Sequence, residues 1–190
     1  MPNCAQLSKN LALAACQNSA PGLEAELVLI NFDDVDRTQS VVTGNVISDL
    51  VLKTGKTGYH YTSEKNAFEG DSPLNKGTYR TGFNHSLILC AFLKNQNVKD
   101  EINALAKSRF IAVTKNKDTV SGETKFEVYG WENGLELSDL SAPTTNGDGV
   151  IYTITIATGE NQRESELPKS FYKTSVDATQ TAYEALYDEQ

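Results

Sequence analysis

The stretch Leu23-Glu24-Ala25-Glu26-Leu27-Val28-Leu29-Ile30-Asn31-Phe32 decides the fold. It opens by alternating apolar and acidic residues, as a strand with one wet face does, and then turns apolar at successive positions from Leu27 to Ile30. Successive side chains of a strand point to opposite faces, so an unbroken apolar run puts both faces inside a core. The stretch therefore predicts a strand entering a two-sided core. The acidic cluster Asp33, Asp34 and Asp36 ends it.

Before this strand, Leu7, Leu11 and Ala14 share a helical face over residues 4–15, and Pro21-Gly22 halts any continuation, which predicts a short opening helix. After it, Val46 to Leu52 alternates around Ser48 and Asp49, Gly55 and Gly58 frame a turn, and Tyr59-His60-Tyr61 follows. That order predicts a hairpin. Residues 62–78 combine Asn66, Gly70, Asp71, Pro73, Asn75 and Gly77 with little apolar content and read as an extended loop available to a neighbouring subunit. From Tyr79 to Leu93 one long strand is expected, with helix as the rival reading. It sets Phe83, His85, Leu87, Leu89, Ala91 and Leu93 on one face and Ile88, Cys90 and Phe92 on the other.

Val98, Ile102, Leu105 and Ala106 recur at helical spacing behind Asn97, which predicts a mid-chain helix over 98–108 capped by Asn97. Phe110-Ile111-Ala112-Val113 and Lys125 to Tyr129 are expected to form an antiparallel pair across a polar turn containing Gly122. Asn133-Gly134 marks a further turn. Beyond the loop from Pro143 to Gly149, Val150 to Ile156 alternates β-branched or aromatic residues with Thr and reads as a central or near-central strand. A terminal helix from Asp177 to Tyr187 starts with an Asp177 to Gln180 capping pattern. The expected fold is mainly β (α+β): a β-sandwich or rolled antiparallel sheet with a packed mid-chain helix and short terminal helices, forming one domain over residues 1–190.

Bulk properties narrow the function. At 190 residues the chain is long enough to build a core without staples. A net charge of -8 leaves no excess of Lys or Arg to displace phosphate counterions, which argues against a nucleic-acid-binding stripe. Cys4, Cys16 and Cys90 form an odd, sparse set without Cys-x-x-Cys spacing, so neither a disulfide framework nor a zinc site is expected. Leu13-Ala14-Ala15-Cys16 mimics a lipoprotein cleavage box, but Lys9 and Asn10 interrupt the apolar stretch such a signal needs. No apolar run is long enough to span a bilayer, and no membrane partner is expected.

Chemistry-bearing motifs are scarce. His60 and His85 are the only histidines, and His85-Ser86 cannot pair as base and nucleophile because neighbours on a strand face opposite ways. Asp33, Asp34 and Asp36 invite a calcium reading, yet Thr38 and Gly44 stand where an EF-hand loop needs Gly and Glu. No catalytic, cofactor-binding or metal residue is assigned, and no cofactor is expected. An enzyme would have to assemble a site from Asp33, Asp36, His60 or His85. A carbohydrate-binding module, secreted or on a surface, would need Tyr59, Tyr61 and Trp131 exposed on one face.

The phrase Leu29-Ile30-Asn31-Phe32-Asp33-Asp34-Val35-Asp36, a mid-chain helix feeding a strand, and the phrase Tyr129-Gly130-Trp131-Glu132-Asn133-Gly134-Leu135 together resemble virion structural proteins of tailed gut phages, including the short-tailed crAss-like group. The likeness spans Leu23 to Ile156. It implies a tail-tube-like or portal-proximal ring protein, a homo-oligomer whose copies join edge to edge among neighbouring virion proteins, with transient non-specific passage of DNA at most. The implied location is the virion, assembled in the host cytoplasm. Capsid decoration is the near variant, and no catalytic residues carry over.

Overall fold

The computed structural model describes residues 22–64, 67–77, 81–117, 122–144 and 149–187. The expected opening helix over 4–15, with Cys4 and Cys16, lies outside the described residues. Strand β1 (Leu23–Asn31) runs into a single 3-10 turn, Phe32–Asp34, and is followed by β2 (Val41–Thr43), β3 (Val46–Asp49), β4 (Tyr59–Thr62), β5 (Phe68–Asp71), β6 (Leu74–Lys76), β7 (Thr81–Phe83) and β8 (Ser86–Ala91). Helix α1 (Gln96–Leu105) leads to β9 (Phe110–Asn116), β10 (Phe126–Tyr129), β11 (Glu136–Ser141), β12 (Tyr152–Ala157), β13 (Lys169–Phe171) and helix α2 (Val176–Glu184).

The two-sided reading of β1 holds. Leu27, Val28, Leu29 and Ile30 are all at most 1% exposed, and they divide between two cores by strict alternation. Leu27 and Leu29 face one core with Phe110 and Ala112 of β9, Leu87 and Leu89 of β8, and Ile154 and Ile156 of β12. Val28 and Ile30 face the other with Ile111, Val113, Phe126 and Val128, closed by Tyr183 of α2 and Leu186 just beyond it. Burying each such side chain stabilises the fold by about 1.5–3 kcal/mol. A seven-stranded sheet, in the order β2-β3-β13-β10-β9-β1-β4, is thus a middle layer. A four-stranded sheet, β11-β12-β8-β5, covers one face, and α2 helps cover the other. The architecture is mainly β, a sandwich of two sheets with helices packed on it.

Helix α1 packs Ile102 and Leu105 into the core between the sheets. Its cap is Asn95, whose side-chain oxygen accepts from the Val98 amide at 2.8 Å, not Asn97 as expected, because Asn95 is the last residue with extended backbone. In α2 the cap is Ser175 rather than Asp177, for the same reason. The expected pairing of β9 with β10, and β12 as an inner strand between β11 and β8, both stand.

Three expectations are corrected. Val46–Asp49 and Tyr59–Thr62 are not hairpin partners: β3 pairs β2 and, in parallel, β13, while β4 pairs β1. The β3 side chains find their apolar neighbours across the chain at Phe171, so local turn residues did not set the pairing. The described part of the extended loop expected over 62–78 contains two strands, β5 on β8 and β6 in a ribbon with β7. The long strand expected from Tyr79 to Leu93 is broken at Asn84 and His85 into β7 and β8. Among the described residues no helix is long and apolar enough to cross a membrane.

Candidate functional site

The sequence-singled residues fall into separate networks. Asp36 closes its own turn, its Oδ1 accepting from the Thr38 amide at 3.0 Å, the Thr38 hydroxyl at 2.6 Å and the Gln39 amide at 3.2 Å. These bonds favour the charged carboxylate and hold Asp36 below its ordinary value. Asp34 pairs with Lys56 at 3.0 Å, and the Asp33 carbonyl accepts from the Lys53 ammonium. Among the described residues no three His, Cys, Asp or Glu side chains stand where a metal ion would need them. His60 stacks on Tyr187, ring centroids 4.1 Å apart, and faces Glu26 at 3.4 Å on the border strand β4. Tyr59 is exposed, Tyr61 is half-buried, and Trp131 is buried in the second core under Arg37, so these three do not form one exposed platform.

His85 belongs to a buried junction around the phrase Tyr129 to Leu135. At 1% exposure its Nδ1 accepts from the Gly130 amide at 3.1 Å, and its Nε2–H donates to the Glu166 carbonyl at 3.0 Å. Burial pushes the imidazole down to about 4. A second proton would also have to sit on Nδ1, facing a donor. Beside it, Glu164, 2% exposed, accepts from the Glu132 and Asn133 amides at 2.8 Å each. Burial raises its carboxyl even against those two amides. Glu132 reciprocates, taking the Ser165 amide at 2.9 Å and the Ser165 hydroxyl. Each glutamate thus holds the other's segment, Glu164 through the Glu132 and Asn133 amides and Glu132 through Ser165.

Arginines finish this junction. Arg37 donates to the Trp131 carbonyl and lies between two rings, its Cζ 4.5 Å from the Trp131 centroid and 4.7 Å from that of Phe32. Arg109 also lies over Phe32, its Cζ 3.9 Å from the ring centroid. Gly130 and Gly134 make the turn possible, with φ of 71° and 80°. Nothing in the polar run around Glu164 signalled burial, and no spacing linked it to Glu132 or Arg37. The partners of His85, Glu164 and Glu132 are backbone and hydroxyl groups of the chain itself, so the junction acts as a fastening.

The sheet borders differ from one another. In the four-stranded sheet both outer strands are acidic, with Glu69 and Asp71 on β5 and Glu136 and Asp139 on β11. In the seven-stranded sheet the outer strands read Val41-Val42-Thr43 and Tyr59-His60-Tyr61-Thr62, without a carboxylate or an amine. Val41 is 50% and Val42 38% exposed, and Val46 on the adjoining strand is also exposed. Among the described residues the segment after α2 covers part of β4, where Gly58 bridges to Tyr187 and the Tyr187 ring stacks on His60. A cleft of about 310 Å³ opens beside α1, between β4 and the end of β8. In comparisons with known proteins, no family model, no curated protein and no solved structure matches the chain.

Proposed function

We propose that the protein is a structural building block that assembles with copies of itself, border β2 of one subunit meeting border β4 of the next, to form a ring or tube. The observation that carries this reading is the contrast between borders. Charged residues on an outer strand discourage pairing with another chain, and the four-stranded sheet has them on both sides. The seven-stranded sheet lacks them and presents Val41 and Val42 instead. Two unlike borders on one subunit make a head-to-tail contact, which closes into a ring when the rotation per subunit allows. The resemblance to phage virion proteins fits this scheme, with a tail tube or connector ring as the assembled form. A net charge of -8 suits a conduit through which DNA passes without being held.

Val42→Lys puts an ammonium on the border without touching either core. Negative-stain micrographs of the unaltered protein are expected to show rings or short tubes, and the variant single subunits with an unchanged circular dichroism spectrum. Rings that persist in the variant would refute pairing through β2. Capsid decoration, the near variant, would give particles only in the presence of assembled heads.

A further inference from the structure

The cleft beside α1 is used by neither the sheet borders' pairing groups nor the fastening around Glu164. Its floor is apolar, made of Phe68, Leu89, Ile102 and Leu105, which belong to the core between the sheets. Its mouth is different in character. Glu64 and Glu101 line it, and the Tyr61 hydroxyl donates to Glu101 across the gap between β4 and α1. No Lys, Arg or His occurs among the described lining residues.

We propose that this cleft binds a small apolar molecule carrying a single ammonium group, an aryl- or alkylamine. The volume sets the size: about 310 Å³ holds roughly ten water-sized units, hence a ligand of about ten heavy atoms. The floor supplies the driving force by taking apolar surface out of water. The mouth selects the head. Two carboxylates, with no cation among the described lining residues, attract an ammonium and repel a carboxylate, and partial enclosure by apolar walls strengthens both effects relative to open water. A fatty-acid-like anion is therefore the wrong ligand for this cleft despite its apolar tail. Tyr61 and Thr62 of border β4 line one side of the cleft, whereas Glu64, Glu101 and the floor lie on neither β2 nor β4, so the ligand test reads groups that ring pairing does not use.

The probes are 2-phenylethylamine, 2-phenylethanol and phenylacetate, which share a ring and differ in the charge of the head. Binding is followed by amide shift changes in titrations of the full chain near neutral pH. The amine is expected to bind at least about tenfold more tightly than phenylacetate, with the alcohol between them. Glu64→Gln combined with Glu101→Gln is expected to bring amine and alcohol within about threefold of each other while leaving alcohol binding unchanged. Val98→Trp, which fills the cleft from α1, is expected to abolish binding of all three. Should that variant fail to fold, the double Gln variant, altered only at exposed positions, still decides the matter. No saturable binding of the amine, equal binding of phenylacetate, or an amine preference that survives in the double variant would overturn the proposal.

Discussion

His85 shows how much a single buried side chain ties stability to pH. Its folded value, about 4, lies below the ordinary 6.5, so the neutral form is the one the fold accepts. The stabilisation it allows is complete above pH 6.5 and is lost as pH falls toward 4, by about 3 kcal/mol in all. Glu164, raised by burial, works in the opposite sense, its contribution falling as pH rises through its folded value. Comparing unaltered protein with His85→Gln by urea unfolding at several pH values separates the two. The rise in stability between pH 4 and 6.5 is expected to be shallower in the variant. Glu164→Ala leaves the part-buried amides of Glu132 and Asn133 without their acceptor and is expected to cost about 1–3 kcal/mol in the same assay. The opposite change is expected at Tyr183, whose buried hydroxyl has no partner among the described residues: Tyr183→Phe should be neutral or stabilising by up to about 1 kcal/mol in thermal melts. Residues of this kind were not legible in the sequence. Glu164 sits in a polar run that reads as open loop, and its burial follows from contacts to a turn about 30 residues away.

At the scale of elements, legibility followed the range of the forces involved. β1 was readable because its apolar run states directly that both faces are inside, and α1 because Ile102 and Leu105 recur at helical spacing. β3 was assigned the wrong partner because its neighbour β13 lies more than 120 residues away and pairs in parallel, which no turn residue announces. β5 and β6 were missed because they face water: Phe68 is the only buried side chain in the two strands together. The turn joining β10 to β11 was readable from Asn133-Gly134, and its glycine is not replaceable. A Cβ at Gly134 would sit 2.4 Å from Cγ of Arg109, on a backbone with φ of 80°. Gly134→Ala is expected to cost about 1–2 kcal/mol from backbone strain alone, and more if Arg109 is driven off Phe32. Differential scanning calorimetry would register it as a lowered Tm.

For the whole molecule, the proposed self-assembly draws on the layered arrangement of the sheets. The central strands β1 and β9 of the seven-stranded sheet are covered on both faces, while its outer strands β2 and β4 are largely exposed. The outer strands β2 and β4 carry no carboxylate or amine of their own, while β5 and β11 of the smaller sheet carry acidic residues. The candidate catalytic residues Asp33, Asp36, His60 and His85 are spread over a turn, a border strand and the buried fastening, each with its own partners. The most direct measurement is the mass of the purified full chain in solution by light scattering coupled to size-exclusion chromatography. A single species at a fixed multiple of 20.8 kDa, stable on dilution and returned to one subunit by Val42→Lys, is the expected result. A species of 20.8 kDa that persists at high protein concentration would contradict it.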